Sequence, residues 1–94
     1  MNYDPQDKGT IAVIIERLEH FRLPRALEIK QRVDQGDCLN EFEIEFLHQA
    51  FEDSESMRPL MARHPELFPV VERMAELYIH ITQKALENEQ AQNN

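Results

Sequence analysis

DQGDCLNEFEIEFLHQAFED, residues 34 to 53, is the stretch whose reading decides the fold. Gly36 suits the position just past a helix end, where a left-handed backbone is wanted. Asn40 then suits an N-cap, and Glu43 sits three residues on, as in a capping box. Leu39 before the cap and Ile44 after it have the spacing of a hydrophobic staple. From there Phe46, Leu47, Ala50 and Phe51 recur at helical spacing. One helix therefore stops and another starts within a few residues. So short a connection favours antiparallel neighbours.

Working outward, the same periodicity recurs on both sides. Upstream, Thr10 is a candidate N-cap, and Ile11, Ile14, Ile15, Leu18 and Phe21 follow helical spacing, so a first helix is expected over about 10 to 22. Pro24 disfavours the α conformation in the residue before it, which predicts a break or kink there. A second helix from Pro24 to Gly36 carries Leu23, Ala26, Leu27, Ile29 and Val33. Downstream, the third stripe continues through Met57, Leu60 and Met61. Pro59 falls on its outer side, so residues 41 to 63 read as one bent helix or two short ones. His64-Pro65 marks the next break, and Pro65 or Pro69 suits the first position of the last helix. Its stripe is Leu67, Val70, Val71, Met74, Ala75, Tyr78, Ile81, Thr82 and Ala85.

The expected architecture is an all-α, small antiparallel helical bundle of three to five helices with proline kinks or breaks. Residues 1–94 form a single domain with frayed tails at about 1–9 and 88–94. The expected core is Ile14, Ile15, Leu18, Leu27, Val33, Phe46, Leu47, Ala50, Phe51, Leu60, Met61, Val71, Met74, Tyr78 and Ile81. Composition agrees with a globular helical chain: 94 residues, 41 % apolar and 30 % charged, with only two glycines.

The formal net charge of −8 sets limits on partners. An acidic surface repels phosphate backbones and anionic lipid headgroups, so neither nucleic acid nor membrane is expected. A basic protein partner or a cationic ligand is favoured by the same field. No run approaches ~18 apolar residues, which argues against a transmembrane helix. The segment MNYDPQDKGT lacks the basic start and apolar centre of a signal peptide. A cytoplasmic location is the resulting expectation. Cys38 is the only cysteine, so no intramolecular disulfide is possible.

Glu45 and His48 have Glu-x-x-His spacing, and His48 and Glu52 stand one helical turn apart. Carboxylate metal sites in bundles project inward and need two such motifs with two further glutamates. Here Glu41, Glu45, His48 and Glu52 share the side of the wheel opposite Phe46, Leu47, Ala50 and Phe51. A solvent histidine among acidic neighbours is expected, not a ligand. His20 and His80 also lie opposite their stripes. His64 lands on the apolar side if the third helix reaches it, as a partly buried histidine bonding a helix-end group. Cys38 has Asp37 and Glu41 nearby, which oppose thiolate formation. Walker, Rossmann, EF-hand and nucleophile-elbow patterns are missing from the chain. No catalytic, cofactor-binding or metal-ligating residue is assigned, no cofactor is expected, and the chain is not expected to be an enzyme.

Two positions break the apolar pattern. Val13 points away from its stripe. Lys30 falls among Ala26, Leu27 and Val33, where its stem would cover the core. Val13, with Phe42 and Leu77 at stripe edges, suits a contact with a partner or a second copy.

The runs RLPRALEIKQRVDQGDCLNEFEIEFL and RHPELF, with the ending KALENE, resemble small bacterial helical proteins of unassigned function. The likeness spans about residues 14 to 89. It implies a compact helical protein of bacterial origin and carries no activity, cofactor or site residue with it. The leading expectation is a non-enzymatic protein–protein interaction or regulatory module. A metal-binding or enzymatic bundle using His/Glu residues and a structural homo-oligomer are the alternatives.

Overall fold

A computed structural model describes residues 5–93, which form helices and short connections with no strand among them. Helix α1 spans Pro5–Arg17, a π-helical turn covers Leu18–Arg22, and α2 spans Leu23–Asp34. Helix α3 is Glu41–Glu55, a 3₁₀ turn follows at Arg58–Leu60, and α4 is Leu67–Asn93. The first three segments follow one another without a gap. The chain therefore makes three rods, where the sequence left a choice from three to five. Residues 1–4 of the expected lead-in, and Asn94, lie outside the described residues. The rest of that lead-in is helical from Pro5, which places Thr10 inside α1 and not at its cap.

Pro24 does not break the first rod, because the π-turn absorbs it. The Leu23 amide donates to the Leu18 carbonyl, five residues back. Widening the backbone by one residue makes room for the proline ring. The extra residue also corrects the seam. In an unbroken α-helix Leu18 and Ala26 would point about 80° apart. One inserted residue takes back about 100°, leaving the two within about 20°. Both are buried. Pro59 does break the helix: α3 ends at Glu55, and Pro59 occupies the 3₁₀ turn. Helix α4 starts at Leu67, between the two expected prolines. Pro69 thus sits in its first turn, where an amide would have no intrahelical partner.

The turn from α2 to α3 follows the local signals closely. Gly36 has φ 106°. Its amide donates to Val33 O at 3.0 Å, and Asp37 N–H donates to Arg32 O at 3.1 Å, the two bonds of a Schellman motif. Both arms of the capping box form. Glu43 N–H donates to Asn40 Oδ1 at 2.8 Å, and Asn40 N–H donates to Glu43 Oε1 at 3.0 Å. Ile44 is 52 % exposed, so it does not bury itself as a staple residue would.

Ion pairs and hydrogen bonds fix the directions of the rods. Arg32 pairs with Glu43 near the turn and Arg22 pairs with Asp53 near the far end of α3, so α2 and α3 are antiparallel. At the C-terminal end of α2, Asp34 meets His80 and Val33 meets Asn88. At its start, Leu23 and Pro24 line a shallow cleft with Pro69 and Val70. Helices α2 and α4 are therefore parallel, with α3 running against both.

The main core joins Ala26, Ile29 and Val33 of α2, Leu47 and Ala50 of α3, and Met74, Leu77, Ile81 and Ala85 of α4. A smaller cluster lies around Ile11, Leu67 and Val71, with Ile15, Met57, Leu60 and Met61 half-buried against it. Of the expected core, Leu18, Val33, Leu47, Ala50, Val71, Met74 and Ile81 are buried. Leu27 is instead 39 % exposed, and Ile29 takes the inward position. Within α2 the buried line is Ala26, Ile29 and Val33, which leaves Leu27 on its outer flank. Leu77, expected at a stripe edge, is buried in the α2–α4 seam.

Candidate interaction surface

The residues singled out by spacing do not converge. His48 and Glu52 lie 3.2 Å apart with side chains 61 % and 57 % exposed, as one outward i,i+4 pair, and Glu45 is exposed beside them. Among the described residues no three His, Cys, Asp or Glu side chains group as a metal site. His20 is exposed on the π-turn. His80 is exposed too, but its partner is Asp34 across the helix seam at 2.7 Å, not a residue of its own helix. His64 is buried in the connection after the 3₁₀ turn, where its Nδ1 lies 3.3 Å from a Glu66 oxygen. Cys38 is a half-buried free thiol in the α2–α3 turn. Lys30 is half-buried and donates to Asp34 at 2.8 Å. Val13 and Phe42 are exposed, but they do not share a surface. Val13 belongs to α1, which packs by Leu67, whereas Phe42 sits at the opposite end, next to the α2–α3 turn.

A cleft of about 180 Å³ lies between α1 and the end of α3, bordered by Ile14, Arg17, Leu18, Arg22, Asp53 and Met57. Arg22 is engaged by Asp53 at its rim. Two shallow clefts of about 330 and 470 Å³ lie along the α2–α4 seam.

Helix α4 carries the larger feature. Its inner stripe runs Leu67, Val71, Met74, Ile81 and Ala85, all buried. A second stripe runs along its outside. Phe68, Ile79 and Leu86 are 55 %, 52 % and 55 % exposed. The intervals of eleven and seven residues return to within about 20° of one line on a helix, and half-buried Ala75 falls on that line. The stripe is about 27 Å long, from the 1.5 Å rise per residue. The stacked rings of Phe51 and Tyr78, 4.3 Å apart, border it on the α3 side. Ile44 lies seven residues before Phe51, on the same strip of α3, and is also exposed.

Carboxylates frame the stripe. Glu72, Glu76 and Glu87 follow one edge and Glu89 the other, by the same 100° count. Arg58, in the 3₁₀ turn after α3, bridges Glu55 and Glu72, with contacts of 2.8 Å to each. Those two carboxylates, Glu55 foremost, hold Arg58 further above its ordinary pKa. Lys84 reaches Glu87 only at 3.8 Å. The signal for this surface was present in the sequence as the 68–75–79–86 spacing. It lies beside the stronger inner stripe, and a reading that seeks one apolar face per helix stops at the first.

Among the described residues no helix is long and apolar enough to cross a membrane. Comparison of the chain with protein-family models, with curated proteins and with solved structures gave no match.

Proposed function

We propose that the chain is a non-enzymatic interaction module, a three-rod antiparallel bundle that docks a partner protein along the outer stripe of α4. The observation that carries this reading is the run of Phe68, Ile79 and Leu86, each more than half exposed on one line of a helix whose other face fills the core. Large apolar side chains scattered singly on a surface are ordinary; aligned over five turns they cost solvation unless something covers them. The bundle supplies a rigid platform, so docking needs little ordering of the protein itself.

Site-specific photocrosslinking in cells tests it. A photoreactive residue at position 79 or 86 is expected to trap a discrete adduct that the same residue at Gln31 or Arg73, both exposed away from the stripe, does not. Equal, diffuse labelling from all four positions would remove the reading.

A further inference from the structure

We infer that the occupant of the α4 stripe is a basic amphipathic helix. This rests on the interaction-module reading and adds the chemistry of the partner. The stripe is straight, narrow and about 27 Å long, which matches one apolar face of a helix of about 18 residues. Its heptad-like spacing, 68–75–79–86, is the spacing a helix presents to another helix. Charge selects between partners. Glu76, Glu87 and Glu89 border the stripe on α4; among the described residues, Arg58 is already shared by Glu55 and Glu72, and Lys84 reaches Glu87 only at 3.8 Å. A helix with Lys or Arg flanking its apolar face places positive charge against this frame and is steered to it. A second copy would bring a like frame and a formal charge of −8 against the first. Such juxtaposition is costly at an interface.

The probes are three synthetic peptides of about 21 residues, long enough for six turns. One has Leu at the a and d heptad positions and Lys at the flanks. One has the same Leu positions with Glu at the flanks. One has the basic composition in scrambled order. Each is titrated into the isotope-labelled full chain, following amide shifts and fluorescence anisotropy. Binding is expected for the ordered basic peptide only, with shifts centred on Ile79 and Leu86 and affinity that rises as salt is lowered. The scrambled peptide is expected to bind at least tenfold more weakly. The double variant Ile79→Gln with Leu86→Gln is expected to lose at least tenfold while its thermal midpoint is unchanged, since both side chains are exposed.

Equal binding of the acidic peptide, equal binding of the scrambled one, or shifts centred elsewhere would each overturn the inference. If no peptide binds but sedimentation shows a dimer that the double variant dissolves, the occupant is a second copy. The inference then fails while the stripe remains a docking face. If no peptide binds, the chain sediments as a monomer, and crosslinking at position 79 matches the controls, both readings fall.

Discussion

Asn88 stands in the inner stripe of α4 where Leu77, Ile81 and Ala85 precede it, and it is just as buried. Its Nδ2 donates to Val33 O at 2.7 Å and to Asp37 O at 2.8 Å. Those carbonyls flank the Schellman turn, so one amide of α4 ties off the end of α2. Gln92 adds a longer bond of 3.3 Å to Gly36 O. Asn88→Ala should cost on the order of 1–3 kcal/mol, because it removes two hydrogen bonds; Val33 O keeps the Gly36 amide, but the partly buried Asp37 O loses its Asn88 donor. Urea unfolding measures this, and a loss under about 0.5 kcal/mol would show that water replaces the amide freely. The sequence placed residues 88–94 in a frayed tail for an understandable reason. The value of Asn88 depends on carbonyls more than fifty positions away, and no local pattern encodes them. Asn40, Glu43 and Gly36 were legible because each acts within three or four residues of itself. Arg32 is intermediate: its pairing with buried Glu43 closes the same turn, but nothing in the spacing says that Glu43 is inside. Close by, Asp34 accepts from Lys30 and pairs with His80. The hydrogen bond from Lys30, then that from His80, holds its carboxyl below the ordinary aspartate value. A depressed carboxylate pKa contributes stability above the unfolded value near ~3.9, and that contribution fades as pH falls through the folded value. The difference in thermal midpoint between the parent and Asp34→Asn should therefore be present at neutral pH and shrink below about pH 4. A gap that is the same at pH 3 as at pH 7 would separate the loss from ionisation.

At the scale of elements, the π-turn is the feature that makes one rod out of two apolar stripes. It holds one residue more than an α-helix needs between Leu18 and Ala26. Removing one exposed residue from it should restore a plain α-helix and leave both stripes facing the core. A variant lacking Glu19, with Pro24→Ala to supply the missing amide, is expected to keep its helical circular dichroism and unfold cooperatively. The same deletion inside α2, at exposed Glu28, turns Ile29 and Val33 about 100° away from Leu47 and Ile81. That variant should lose cooperative unfolding. If both deletions behave alike, the π-turn does not set the register. The existence of the α-helices was legible from periodicity, since each stripe spans several turns; the π-turn and the start of α1 at Pro5 were not. Whether a proline joins or divides two helices was not legible either. Pro24 and Pro59 look equivalent in sequence, and the outcome depends on whether the helix beyond has a partner to pack on. Past Pro24, Ala26 and Ile29 enter the main core. Past Pro59, Leu60 and Met61 turn toward Ile11 and Val71, and the chain must double back to begin α4.

The described residues form a rod of 55 × 20 × 19 Å with a radius of gyration of 15.3 Å. A compact domain of this length would have a radius near ~12 Å. The elongation has a mechanical consequence. Apolar burial is laid out end to end, so the two clusters share few neighbours. Nine buried residues from three rods make up the main one. Among the described residues the cluster under α1 has three, and the side chains around them are only half-buried. Segments with fewer buried contacts open at lower free energy than the global transition. Hydrogen exchange in native conditions should therefore show two tiers. Amides of α2 near Ile29 and Val33, and of α4 near Met74 and Ile81, should exchange only through global unfolding. Amides of α1 between Val13 and Arg17 should exchange at least about tenfold faster. Ile11→Ala should speed the α1 tier further, because it removes one of three buried anchors, while leaving the slow tier within the error of the measurement. Leu47→Ala should instead lower the slow tier by about 2–5 kcal/mol, the range for a buried leucine in a packed core. Uniform protection along the first rod would contradict this division, since it would mean that the π-turn couples α1 to α2 strongly enough for the two clusters to melt as one.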